Sequence, residues 1–281
     1  MEVSHAIRRF LPFLLLCLAL AWPCAPARAQ FVAGISVDIA PPPLPIYAEP
    51  PLPEDGYVFI PGYWAWAPSG FYWVPGTWVL PPAPGLYWTP GYWAFVDGVY
   101  VWYAGYWGPT VGYYGGVDYG FGYFGTGYDG GYWQDGVFFY NGAVHNFGRV
   151  RVAHSYRRDV SDRHARMSFA GGERGTGARP GPDEERAAQE PHRPPRSVQM
   201  QHETQAATIR TAPAAVNHGR PPVAATQKPA TFTGPGITSA RPAPHPPAPP
   251  HPAGGAAPQG QGHGGGGAPP PGGHGSEPEH H

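Results

Sequence analysis

Gly56-Tyr57-Val58-Phe59-Ile60-Pro61-Gly62-Tyr63-Trp64 is answered further along the chain by Gly70-Phe71-Tyr72-Trp73-Val74-Pro75-Gly76-Thr77-Trp78. Gly85-Leu86-Tyr87-Trp88-Thr89-Pro90-Gly91-Tyr92-Trp93 and Val99-Tyr100-Val101-Trp102-Tyr103-Ala104-Gly105-Tyr106-Trp107 continue the series. The copies start 14, 15 and 14 residues apart, and each ends Gly-x-Trp. A weaker fifth copy ends at Gly131-Tyr132-Trp133, and Asp135-Gly136-Val137-Phe138-Phe139-Tyr140 echoes Asp97-Gly98-Val99-Tyr100-Val101-Trp102. This period is too short for a helical repeat, and Tyr, Trp, Phe and Val suit a pleated, half-buried surface. Turn residues recur between copies, with Val96-Asp97-Gly98-Val99 the strongest hairpin signal. The pattern predicts a mainly β fold: a small antiparallel meander of aromatic-rich repeats of about 14 residues, one strand per repeat.

Pro-Gly in the middle of each expected strand conflicts with a regular ladder, because proline removes a donor and glycine weakens a strand interior. Trp73 and Trp78 are five residues apart, so a regular strand puts them on opposite faces. One bulged residue would restore them to the same face. The competing reading makes x-Pro-Gly-x a type II turn, which splays hairpin strands. Between Val111 and Gly131 the only regular feature is an aromatic after glycine, which reads as loop.

Outward from the repeats the chain changes character twice. Residues 30–55, with prolines at 41, 42, 43, 45, 50, 51 and 53, read as an extended polyproline arm acting as a spacer. Residues 56–150 form the repeat domain, and residues 151–225 an Arg-containing linker with short helices at Pro182–Glu190 and Arg196–Arg210. Residues 226–281 read as a disordered Pro/Gly/His-rich tail. At the other end, Arg8 and Arg9, the apolar run Phe10–Trp22 and the small residues Ala27 and Ala29 make residues 1–29 a signal peptide cleaved before Gln30. The expectation is export by the general secretory route to the periplasm, outer membrane or surface of a bacterium, with no transmembrane anchor.

Both cysteines, Cys17 and Cys24, lie inside that leader, so the mature chain has neither disulfides nor thiol chemistry. Glycine and proline account for 41 and 40 of 281 residues, so much of the chain lacks the means to build a core. Residues 31–140 carry eight carboxylates and no lysine or arginine, whereas Arg149, Arg151, Arg157, Arg158, Arg163 and Arg166 cluster behind them.

The segments Tyr72-Trp73-Val74-Pro75-Gly76-Thr77-Trp78, Leu86-Tyr87-Trp88-Thr89-Pro90-Gly91-Tyr92-Trp93 and Ala104-Gly105-Tyr106-Trp107-Gly108-Pro109 resemble the bacterial YXWGXW-repeat (WxxGxW-repeat) proteins. That resemblance runs into the Tyr/Gly passage at Tyr113–Tyr123 and covers roughly residues 40–225. It implies a small exported protein and brings no activity. Where that family carries an Asn/Val-rich segment, Val144–Val160 here is short and Arg-rich.

The candidate ligand-contact aromatics are Trp64, Trp73, Trp78, Trp88, Trp93, Trp102, Trp107 and Trp133. They can stack on sugars, hold a cation such as choline, or fill the core. Nine tryptophans between residues 64 and 133 exceed what one small core is expected to hide. Asp97 and Asp135 precede glycine and read as turn residues. A carbohydrate-active enzyme or accessory factor using Asp97, Asp118, Asp129 or Asp135 would need two of these carboxyls facing each other across an aromatic groove. Histidines His245, His251, His263, His274, His280 and His281 have no metal-site spacing, and neither do His145, His154 and His164. Neither a metal nor a cofactor is expected. Arg149-Val150-Arg151-Val152 alternates like a charged edge strand, a bar to aggregation rather than a nucleic-acid site. No nucleotide, hydrolase or Cys/His motif appears. The reading is therefore a non-enzymatic cell-envelope protein whose aromatic sheet contacts a glycan or an envelope protein, with open sheet edges as a route to self-association. A membrane barrel is disfavoured because these strands do not alternate polar with lipid-facing residues.

Overall fold

Two repeats build one hairpin. The computed structural model describes residues 32–160 and 167–241. The expected leader with Ala27, Ala29 and Gln30, the arginines Arg163 and Arg166, and residues 242–281 lie outside the described residues. The arm supplies β1 (Val32–Val37) and β2 (Ile46–Tyr47). The first two repeats supply β3 (Val58–Ile60), β4 (Tyr63–Ala67), β5 (Gly70–Val74) and β6 (Gly76–Val79). Phe59 lies opposite Trp78 and Trp64 opposite Trp73, which is one antiparallel register on both sides of Pro-Gly. The next two repeats give β7 (Tyr87–Thr89), β8 (Tyr92–Val96), β9 (Val99–Tyr103) and β10 (Tyr106–Gly108). There Trp88 faces Trp107 and Trp93 faces Trp102, again in one register. At the tip, Asp97 and Gly98 have φ of 50° and 89°, the backbone of a type I′ turn that the Asp-Gly pair predicts.

The structure corrects two details of the meander. Each repeat forms two short strands rather than one, and no bulge or type II turn joins them. The ladder instead breaks in register where Pro61-Gly62 meets Pro75-Gly76, since proline has no N–H to give. The backbones then close on each other: a Cβ on Gly62 would stand 2.8 Å from both the Gly76 nitrogen and the Val74 oxygen. At the second crossing a Cβ on Gly91 would stand 2.8 Å from the Gly105 nitrogen, and one on Gly105 equally close to that of Gly91. Only glycine permits that approach, and an aromatic ring covers each one.

Segments outside the repeats close the structure. The passage expected as loop holds β11 (Asp118–Gly120) and β12 (Tyr123–Phe124), and buries Tyr114, Val117, Tyr119 and Tyr123. The Tyr119 hydroxyl donates to the Gly91 carbonyl at 2.6 Å, and that of Tyr123 to the Trp88 carbonyl at 3.0 Å. These bonds satisfy carbonyls near the interrupted ladder, which is why tyrosine rather than a plain apolar residue fills the passage. β13 (Gly131–Gln134) and β14 (Val137–Asn141) turn at Asp135-Gly136, and β15 (Ser155–Tyr156) joins β14 in parallel. Arg149–Val152 is not a strand, although Val150 and Val152 pack on the core while Arg149 and Arg151 stay exposed.

The arm and the expected linker are working parts of the core rather than spacers. β1 pairs with β9, and the carbonyls of Pro43 and Pro50 accept the indole N–H groups of Trp64 and Trp78 at 3.2 and 2.9 Å. Beyond β16 (Phe169–Ala170), parallel to β8, come α1 (Pro182–Ala187), α2 (Ser197–Ala206) and α3 (Ala214–Asn217). The first two match the expected short helices. Order continues past residue 226, where the composition places the start of the tail, through β17 (Ala225–Thr226), β18 (Ile237–Thr238) and β19 (Ala240–Arg241). β17 lies parallel to β6, and the Ala224 carbonyl accepts both the Gly76 amide and the Trp73 indole at 3.0 Å.

Replacing Gly62 with Ala drives a Cβ into backbone atoms that cannot swing aside, so Gly62→Ala should lower unfolding stability by about 3 kcal/mol. A Cβ added at Gly34 would meet nothing within 4 Å, so Gly34→Ala should leave stability unchanged. Urea denaturation of the two variants checks the crossing, and equal midpoints would refute it.

Candidate functional site

The repeat assigns its two tryptophans different tasks. The first aromatic of each copy, namely Phe59, Trp73, Trp88 or Trp102, lies against the glycine of the facing strand. The second, Trp64, Trp78, Trp93 or Trp107, meets the first aromatic of that facing strand with ring centroids 5.1 to 5.4 Å apart. Those second indoles are tied down. Trp93 donates to the Trp64 carbonyl at 2.8 Å, linking the two hairpins, and Trp107 to Gln199 Oε1 at 2.8 Å. Trp64, Trp73, Trp78, Trp88, Trp93 and Trp107 are thus buried, and of these only Trp88 lines the cavity under α2. Six of the eight expected contact tryptophans lie in the core. Trp102 and Trp133 alone of the eight are half-buried, and Trp133 donates to the Leu86 carbonyl at 3.1 Å.

One cavity of about 80 Å³ lies where the two Pro-Gly crossings meet under α2. Tyr63, Trp88, Trp102 and Tyr119 line it, with Pro61, Pro75 and Pro90 and, from α2, His202 and Glu203. Tyr63 and Trp102 stack at 5.2 Å and 17°, one ring from each hairpin. Burial pushes the Glu203 carboxyl above its ordinary range, opposed by a hydrogen bond from Tyr63. His202 is pinned on both sides: Nε2 donates to the Pro75 carbonyl and Nδ1 accepts the Ala230 amide, each at 2.8 Å. This fixes the neutral tautomer, and burial pushes its pKa down to about 4.

A second feature stands on the outside. On the outer face of the β13–β14–β15 sheet, Tyr132 and Phe139 are cross-strand partners whose rings lie parallel within 7° at 5.2 Å. Tyr156 sits 5.3 Å from Tyr132, and His154 4.8 Å from Phe139. The opposite face carries Phe138 and Tyr140, both buried. Arg158 pairs with Asp129 at 2.5 Å at this sheet, and Arg157 and Gln134 are exposed around it.

The four carboxylates proposed for catalysis do not assemble into one site. Asp97 and Asp135 occupy exposed hairpin tips, Asp129 holds Arg158, and Asp118 accepts the Gly120 amide at 2.9 Å. None of them lines the cavity. His145 is bonded through Nδ1 to Glu49 at 2.9 Å and through Nε2 to the Tyr128 hydroxyl at 3.1 Å, a buried brace between the arm and β14. Glu203 and His202 escaped the sequence reading because α2 has neither an apolar stripe nor a motif; the only available signal was a carboxylate and an imidazole side by side in an otherwise uncharged helix. Among the described residues no helix is long and apolar enough to cross a membrane.

The WXXGXW repeat family model matches this chain at residues 55–79, in two copies. Those residues are the first hairpin, and the second repeats its geometry at residues 87–108. No curated protein and no solved structure matches the chain.

His202 makes stability depend on pH. Its folded pKa is about 4 against 6.5 for the free side chain, so the unfolded chain binds the extra proton in between. Stability is full above about pH 6.5 and falls toward pH 4, by up to about 3 kcal/mol from this group. Glu203, whose pKa is raised, contributes with the opposite sign. Urea unfolding at pH 7 and pH 4 should show a larger loss for wild type than for His202→Gln; equal losses would disprove the assignment.

Proposed function

We propose that this is an exported, non-enzymatic protein of the bacterial cell envelope that binds glycan through the outer face of the β13–β14–β15 sheet. The observation that carries the reading is a cluster on one sheet face in which Tyr132 is exposed and its ring neighbours Phe139 and Tyr156 are half-buried. Tyr132 is 39% exposed, and clustered exposed aromatics on a soluble surface mark interaction sites. Sugar rings suit such a face because their C–H edges stack on aromatic rings while their hydroxyls need polar partners at the rim. Asp129, Arg157, Arg158, Gln134 and His154 supply donors and acceptors there. Export rests on the leader at residues 1–29 and its Ala27-Arg28-Ala29 cleavage signal. The absence of an enzymatic role rests on the dispersal of Asp97, Asp118, Asp129 and Asp135, each in a local structural task.

Binding of the mature protein to peptidoglycan sacculi and to lipopolysaccharide can be followed by co-sedimentation. Tyr132→Ala combined with Tyr156→Ala should weaken binding at least about tenfold, the effect of removing an aromatic anchor, with unfolding stability retained. Undiminished binding in a folded double variant would exclude this face, and lack of binding by the wild type would exclude these glycans.

A further inference from the structure

The cavity under α2 is separate from the outer aromatic face and has its own chemistry. Four aromatic rings, Tyr63, Trp88, Trp102 and Tyr119, line it. Its lining includes no lysine or arginine, and of its two ionisable side chains other than tyrosine, His202 is locked neutral by hydrogen bonds at both nitrogens. Pro61, Pro75 and Pro90 in the wall have no backbone N–H to offer. An anion would find few donors there, whereas a cation would find π faces and one carboxyl. We propose that this cavity binds a small organic cation of the methylated-ammonium class, with Glu203 as its counter-ion.

Size and rigidity fit that class. The space of about 80 Å³ is several times the about 10–15 Å³ that one water requires. It cannot collapse easily, because the two glycine crossings and the stack of Tyr63 on Trp102 fix its walls. Aromatic rings attract a cation held over their faces, most strongly where water is excluded. A bound cation would also compensate the cost of keeping a carboxylate out of water. Tyr63 and Tyr72 from the first hairpin, Tyr119 from β11 and His202 on the same helix are the titratable groups around Glu203. Burial holds the three phenols protonated well past neutral pH, and His202 is uncharged above about 4. Glu203 is therefore the group whose ionisation governs binding, and affinity should rise with pH as its proton is released.

The test is calorimetric titration of the mature full chain with methylammonium and tetramethylammonium chloride, and with tert-butanol as a neutral counterpart of similar shape. Saturable binding of at least one cation and none of tert-butanol is expected, with affinity reduced at least about tenfold in Glu203→Gln. Thermal unfolding shows whether that variant is folded; should it be unstable, Trp102→Leu provides the second arm, with the same loss expected. If neither cation saturates the wild type, if tert-butanol matches them, or if a folded Glu203→Gln binds equally well, the cavity holds only water around a structural carboxyl and the proposal falls. None of these outcomes bears on the outer aromatic face, whose glycan test uses different residues.

Discussion

The close contact of two glycine backbones inside each hairpin is the constraint on which the remaining structure depends. Wherever a strand carries Pro-Gly, its partner carries Pro-Gly or, at the last copy, Ala104-Gly105, so two flat segments face each other with no side chain between them. This opens a shallow seat on the strand, and the aromatic three residues ahead of the glycine in the partner strand fills it. The aromatic two residues after the glycine then packs against that ring at an interplanar angle of 50° to 69°. The spacing Trp-x-x-Gly-x-Trp follows directly: one indole to cover the opposite glycine, one glycine to be covered, and one indole to wedge the first. Each buried ring removes about 150–250 Å² from water, a large contribution for a fold of short strands.

That device imposes a debt of hydrogen bonds on the neighbours. Strands cut to three to five residues leave amides and carbonyls beside each crossing without ladder partners, and buried orphans are costly. The molecule satisfies them from outside the repeats. Tyr119 and Tyr123 reach in from the Gly/Tyr passage, Ala212 and Ala224 accept from Trp73 and Gly76, and Arg193 exchanges backbone bonds with Trp107. Indole N–H groups face the same requirement and find the carbonyls of the proline arm, which are free because polyproline makes no internal hydrogen bonds. The arm and the C-terminal strap are therefore counterparts of the repeats, and a fragment confined to residues 56–150 would expose their unpaired groups.

Much of this was legible in the sequence, and the limits have physical causes. The repeat period, the strand composition and the Asp97-Gly98 and Asp135-Gly136 turns predict the β hairpins, because turn type depends on a few local residues. The role of Pro-Gly was not legible from one strand, since its meaning lies in what the facing strand presents; a bulge satisfies the parity of Trp73 and Trp78 equally well. The strap at residues 190–241 escaped because it docks through main-chain atoms, isolated polar side chains such as Gln199 and His202, and scattered small apolar residues such as Ala206, Ala212 and Ala225. Such contacts leave no hydrophobic period.

The candidate site follows the same division. Most indoles that look like a binding array when read along the chain cover glycines or pack on each other, so their number follows from the demands of the crossing. What is left for recognition lies where the repeat logic stops. The fifth, degenerate copy ends at Trp133 with no second crossing behind it, and its neighbour Tyr132 points to the outer face to stack on Phe139. At the meeting of the two complete hairpins, the prolines that interrupt the ladder leave a gap that α2 covers but does not fill. A structural motif that excludes side chains along one line thus creates both a rigid core and, at its ends and junctions, the open surfaces that a partner can use.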